Sequence, residues 1–409
     1  MTSPASPKKV LLILIVFYAL NFMDRSVMAM VSEAMRLDLG LNDMQVGLCH
    51  SLLLISLVLL IIPCSAFNDI FGPKRMIALA AGLWSLGMAG TGLAVSFPSL
   101  VAPRVLAGFN DAFTGSGGAV WLSKLYPPQK SGRVLGLFYM SVPVGMALGT
   151  LLGGLVLAVF GNWRLAFLSF VVPGVLVMLA IARLPGVKPA AGEPYWTGCR
   201  KVVRSRVLLL TGFAVGSYTI LKFAYQAWLP TLIMRTYDLD GGLVGVLTAG
   251  MLLAGAIGPY LGGCLADHWQ ARSENGKIKA AIVCMLVMVA SKVSFYLLIG
   301  TVGLPAICVF GLVDGVLTMT PLPIYFSLVQ DVVPNRYRSL AIGVMGTLGF
   351  LTGGAWGPLL VGALSEAFGS GAAGLRLALV ALCAAGVLSV VFYACQLKIY
   401  LKEKAAVEM

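Results

Sequence analysis

Runs of about twenty predominantly apolar residues recur along the chain, and a helix needs roughly that length to cross a bilayer's hydrocarbon core. Twelve such runs predict helices near 9–32, 44–67, 75–96, 99–124, 132–158, 164–184, 207–236, 242–266, 279–300, 304–330, 338–366 and 373–398. The polar loops between them are short. The exception is 185–206, which holds Pro185, Pro189 and Pro194 and the basic residues Arg200, Lys201, Arg204 and Arg206. It reads as a hinge-like linker between a first half, 1–184, and a second, 207–409. The expected fold class is an all-α membrane protein of twelve transmembrane helices in two pseudo-symmetric six-helix bundles. The first run, Lys8-Lys9 and then VLLILIVFYAL, opens like a signal peptide. It continues into Asn21, Asp24 and Arg25 with no convincing cleavage site, and reads as the first membrane helix.

Composition agrees with the pattern. Hydrophobic residues are 59% of the 409 and charged residues 11%, against about 25% charged in a soluble domain. Mean hydropathy is +0.93. Lipid must therefore be part of the solvent. The net charge of +13 would suit nucleic acid, but the basic residues sit in short loops and form no basic face interleaved with aromatics. Basic residues concentrate in cytoplasmic loops. With the N-terminus inside, 21 Lys and Arg fall on the inner side and 5 (Arg36, Arg104, Arg164, Arg235, Arg376) on the outer; Arg25, Lys222 and Lys292 lie within spans. Both termini are expected to be cytoplasmic in a multi-pass cell membrane protein, of the bacterial inner-membrane kind. The eight cysteines are scattered, with no CxxC pair, so no metal, disulfide or cofactor role is expected of them.

The halves echo one another at an offset near 200. Gly145, Gly149 and Gly153 have the spacing of Gly349, Gly353 and Gly357; Asp69 matches Asp267, and Pro128 to Arg133 matches Pro334 to Arg338. Glycines four apart leave a smooth groove on one helix face where a neighbouring backbone can approach. Two six-helix repeats around a central site is a known architecture of secondary transporters.

Charges inside the spans are the candidate chemistry. A charge at mid-bilayer costs about 2.5–3.5 kcal/mol on insertion scales, so it lines a cavity or finds a partner. Asp24 and Arg25 lie in helix 1, Asp111 in helix 4, Lys222 in helix 7, Lys292 in helix 9 and Asp314 in helix 10. Helices 1, 4, 7 and 10 face the central cavity in this architecture. Arg104 and Asp111, seven apart, share a face of helix 4, which lets Asp111 exchange partners between Arg104 and helix 1. A carboxylate held near cations is ionised, and one parted from them and desolvated takes up a proton. Asp24, Arg25, Arg104 and Asp111 are therefore the expected proton-coupling set. Asn21, Asn110, Lys222, Tyr225, Gln226, Asp314 and Tyr325 are the expected substrate-binding set, with Asp314 and Lys222 also open to a pairing role. Lys292 reads as a snorkelling or packing residue.

The whole arrangement resembles the major facilitator superfamily and, within it, the Spinster-like branch. NFMDRSVM at 21–28 looks like that branch's first-helix Asn-x-x-Asp-Arg pattern, and DLGLNDMQVGL at 38–48 like its entry to helix 2. RVLAGFNDA at 104–112 resembles its fourth-helix Arg-x-x-x-Gly-x-x-Glu-Ala pattern. AWLPTLIMRTYDL at 227–239, GPYLGGCLAD at 258–267 and GPLLVGALSE at 357–366 complete the series. The resemblance implies a rocker-switch transporter, proton-driven, moving a lysolipid-like or other amphiphilic anionic or zwitterionic solute, with Asp69 and Asp267 as gating residues. Its implied partners are a small-molecule or lipid-like substrate, protons and membrane lipids, for a monomer that uses no cofactor, binds no nucleic acid and is not an enzyme. The sequence departs from the pattern in three places, one being that Lys222 and Asp314 fall on no position of a family motif. Asp111 replaces the fourth-helix glutamate, one methylene shorter. Asp69 is kept in the second loop, but the arginine that should follow it is absent. Organic-anion symporters share the helix 1 and helix 4 patterns, and a non-transporting sensor with this fold is a further reading.

Other function classes lack their signatures. No GxxxxGK[ST] phosphate loop occurs. Gly369 to Gly374 satisfies GxGxxG but follows no strand. His50 and His268, the only histidines, lie towards opposite membrane faces and cannot act together.

Overall fold

The computed structural model describes residues 7–187, 202–334 and 337–408, so most of the expected linker lies outside the described residues. Among the described residues twelve long helices follow one another. They are α1 Pro7–Leu39, α2 Asp43–Phe71, α3 Pro73–Gly92, α4 Phe97–Leu125, α5 Pro128–Phe160 and α6 Trp163–Arg183. There follow α7 Arg206–Tyr237, α8 Gly241–Gln270, α9 Gly276–Leu298, α10 Leu304–Asp331, α11 Leu340–Ala367 and α12 Gly371–Gln396. A short α13, Tyr400–Glu408, ends the described chain. Ten of the twelve are apolar and long enough to cross a membrane. The other two are α3, which opens on Lys74 and Arg75, and α4, which carries Arg104 and Asp111 inside it.

Local chemistry sets the boundaries. α1 runs seven residues past its apolar stretch because its end is held by polar pairs. Arg36 bridges Glu33 one turn back at 2.8 Å, and Asp38 receives Arg164 at 2.5 Å and the Trp163 indole at 3.1 Å. Gly40, at φ +62, turns the chain. Asn42 then opens α2 with a capping box: its side chain accepts from the Gln45 N–H, and the Gln45 side chain accepts from the Asn42 N–H. Inside longer spans the helix is locally rewound. A 3-10 turn at Gly255–Ile257 precedes Pro259 in α8, α10 is interrupted at Thr320 and Pro321, and α11 carries a π turn at Phe350–Gly354. Proline's missing N–H accounts for the first two.

The chain forms two compact units. One comprises Met1–Ala191 with Leu229–Met234 and Asp238–Ala249; the other Gly192–Trp228 with Arg235–Tyr237 and Gly250–Met409. In the first, Gly145 and Gly149 of α5 lie against the backbone of Ala19 and Met23 in α1, and Gly153 against Met30. In the second, Gly349, Gly353 and Gly357 of α11 lie against Val215, Gly216 and Ile220 of α7. The two glycine triplets thus seat the fifth helix of each half on its first. A parallel contact joins second and fourth helices: Gly108 of α4 packs on Leu53 and Ser56 of α2, and Gly311 and Gly315 of α10 on Met251 of α8.

Candidate functional site

The first charged cluster lies between α1 and α4 of the first unit. Arg104 reaches Asp24 at 3.3 Å, and both side chains are 1% exposed. Arg104 also donates through Nη2 to the Thr91 hydroxyl of α3 at 2.9 Å and stacks its guanidinium over Phe167 of α6. Arg25 pairs with Asp111, donating through Nε at 3.1 Å and through Nη2, both to the same oxygen, Oδ2. The two pairs are therefore crossed: adjacent residues on α1 hold partners seven apart on α4, a rise of about 10.5 Å. One turn below, Asn110 donates to Asn21 at 2.6 Å and the Thr114 hydroxyl donates to Asn110 at 3.1 Å.

Of the partners expected for Asp111, Arg104 and helix 1, the structure shows the one on helix 1. Arg104 is engaged by Asp24 and Thr91, which leaves Asp111 to Arg25 alone. The crossed pairs also differ in access. Arg25 is 17% exposed and Asp111 7%, whereas the Asp24–Arg104 pair is sealed. Breaking a sealed pair strands a charge in an apolar surround, while an accessible pair can exchange its partner for another ion. The first pair ties α1 to α4 out of reach of solvent, and the second keeps partial access.

The second cluster, in the second unit, joins α9 to α10. Lys292 pairs with Asp314 at 2.9 Å, with both side chains fully buried. The Ser291 hydroxyl donates to the other carboxylate oxygen at 3.2 Å. Lys292 is thus no snorkelling residue: its ammonium points inward, because a carboxylate one helix away and the face of Tyr225, 3.8 Å from Nζ, receive it. Asp314 is a pairing group. Beside it, Tyr225, Gln226, Met251, Leu252, Thr318 and Met319 line a small cavity with Gly255 and Gly315. The Tyr225 hydroxyl is buried without a hydrogen-bond partner. Tyr218 donates to the Thr318 carbonyl at 2.8 Å and tilts against Tyr325.

The remaining expected residues are spread out. Lys222 is half-buried on α7, its ammonium 5.4 Å from the Phe223 ring centroid. Tyr325 packs with Tyr218 and Phe326 and is not on the cavity wall. Asp267 is exposed near the end of α8. The side chain of Asp69 lies outside the described residues. Thr91 and Ser291 went unnoticed in the sequence, since a hydroxyl in an apolar helix carries no signal until its neighbour is known. No group of three or more metal-ligating side chains is present among the described residues.

Comparison with known proteins bears on the whole chain. The Major Facilitator Superfamily profile matches residues 14–356 and 213–405. The hexuronate transporter of Bacillus subtilis (strain 168) is 24% identical over 389 residues, covering 89% of this chain and 90% of that protein. Protein spinster homolog 3 of Danio rerio is 23% identical over 377 residues, covering 85% and 74%. Among solved structures, a bacterial homolog to the human lysosomal transporter Spinster, inward-facing and occupied, superposes with a TM-score of 0.86 at 21% identity, covering 98% of this chain and 99% of that one.

Proposed function

This chain belongs to the major facilitator superfamily, a family of membrane transporters rather than enzymes, and from that membership we propose that it is a proton-coupled secondary transporter of an organic anion working by alternating access. The observation that carries the proposal is the unequal access of the crossed pairs: Arg25–Asp111 is reachable, and Asp24–Arg104 is not. An anion that takes Asp111's place on Arg25 releases the carboxylate into a desolvated setting, where a proton neutralises it. Empty and loaded clusters then carry the same net charge, and neither leaves an uncompensated ion in the membrane. Anion and proton cross together because each removes the cost of the other.

Two solute sizes suit this chemistry. The hexuronate transporter's name supports a small sugar acid. Met251, Leu252 and Met319 on the cavity wall, with the likeness to Spinster proteins, support a lysolipid-like amphiphile. Proteoliposomes given D-glucuronate or lysophosphatidate, with and without an inward proton gradient, distinguish them. The expected result is uptake of one of the two that rises with the gradient. In Asp111→Asn, gradient-driven accumulation disappears while solute exchange persists. Uptake indifferent to the gradient rejects proton coupling, and binding without flux under any gradient identifies a sensor.

A further inference from the structure

Asp314 stands 203 positions after Asp111, the same offset that separates Gly311 from Gly108. Each glycine lies three residues before its aspartate and seats the fourth helix of its half on the second. Asp314 is thus the second-half counterpart of the carboxylate assigned above to proton coupling, and like it is paired with a cation, here a fully buried one. Its partner, however, comes from α9. A fully buried ion pair is often no more stabilising than an apolar pair of similar volume, so packing alone does not account for Lys292 and Asp314.

Tyr225 connects this pair to open space. Its ring covers the Lys292 ammonium at 3.8 Å, and the same residue lines the cavity beside Gln226 and Thr318. Its hydroxyl is buried and unpartnered, an unfavourable state that an oxygen-bearing ligand in the cavity would relieve. The other ionisable groups in electrostatic reach of Asp314 are Tyr225 from α7, Tyr296 from α9 and Cys383 from α12.

We propose that Lys292, Asp314 and Tyr225 form a second site for anion and proton together. The carboxylate or phosphate monoester of the solute enters at the Tyr225 hydroxyl, turns the ring off Lys292 and replaces Asp314 on the ammonium. Asp314 takes one proton from the bulk solution, forming an O–H bond as one breaks in the proton donor, and for a singly charged anion the site's net charge is the same before and after. This rests on the transporter reading and adds to it a second anion, bound with its own proton.

The test is titration calorimetry of the full chain in nanodiscs with D-glucuronate and, separately, lysophosphatidate. Two buffers of different ionisation enthalpy report protons taken up per anion bound. Wild type is expected to bind two anions per chain and to take up about one proton with each. The apolar double variant Lys292→Met with Asp314→Leu removes both charges and strands neither. It is expected to bind one anion per chain, with about one proton. Tyr225→Phe, nearly isosteric, is expected to bind about fivefold more weakly, the effect of one hydrogen bond. A double variant that still binds two anions per chain overturns the proposal while leaving the transporter reading standing, provided Arg25→Met loses one of them. If neither solute binds wild type, both fall. Should the double variant fail to fold, unchanged affinity in Tyr225→Phe overturns the proposal by itself.

Discussion

At the scale of single residues, burial ranks the charges more sharply than their chemistry does. Asp24 and Asp111 are both aspartates paired with arginines across α1 and α4, yet one pair is sealed and the other open. Asp24→Asn leaves Arg104 buried with no counter-charge, and breaking a buried pair typically costs about 3–5 kcal/mol. A clearly lowered thermal unfolding midpoint in detergent is the expected outcome, with a smaller drop for Asp111→Asn. Equal drops would show that the pairs do not differ as their exposure implies. Asp24 announced itself in the sequence because charges in apolar spans are rare, whereas Arg104, counted with the outer-side basic residues, was picked out by its spacing from Asp111 and proves to be buried. Their pairing did not announce itself, because a seven-residue spacing permits either aspartate to meet Arg104. Lys292 was misread for a related reason: helix position suggested a lipid-facing lysine, and only Asp314 and Tyr225, brought up from two other helices, turn it inward.

At the scale of helices, the glycine triplets were legible as spacing and now have a structural meaning. A β-carbon at Gly149 or Gly353 would fall on the backbone of Met23 or Gly216, and forcing extra volume into such a contact costs about 1–3 kcal/mol. Gly149→Ala and Gly353→Ala should each lower the unfolding midpoint and the monodisperse yield. Gly250 in α8 and Gly343 in α11 have nothing within 4 Å of an added β-carbon. Alanine there should be neutral or stabilise by about 0.5–1 kcal/mol, because alanine restricts the unfolded chain more than glycine does. A second device escaped the sequence. The Glu403 carboxylate of α13 accepts from the Arg206 N–H at 2.9 Å and from the Ser205 hydroxyl at 2.6 Å, placing an anion at the start of α7. Such an interaction is worth about 0.3–1 kcal/mol at low salt. Glu403→Gln should reduce stability by that order, and the difference should shrink as salt is added.

At the scale of the whole molecule, an even number of spans would put both termini on one side, and the excess of basic residues in alternate loops predicts that side to be the cytoplasm. Reporter fusions at each end should both be active only in the cytoplasm; opposite locations would mean that one of the twelve helices does not cross. The apolar runs settled the number and kind of helices, because a bilayer demands about twenty apolar residues whatever the neighbours are. The repeat and the identity of most buried charges followed from the same chain, since a backbone groove needs glycine and a charge in lipid needs a reason. Where each helix rewinds, which acid meets which base, and which pair stays open were decided by the fold. Those outcomes depend on distances of a few ångströms between residues far apart in the chain, and on how completely surrounding side chains exclude water. One sequence of apolar spans is compatible with several such pairings; packed helices select one.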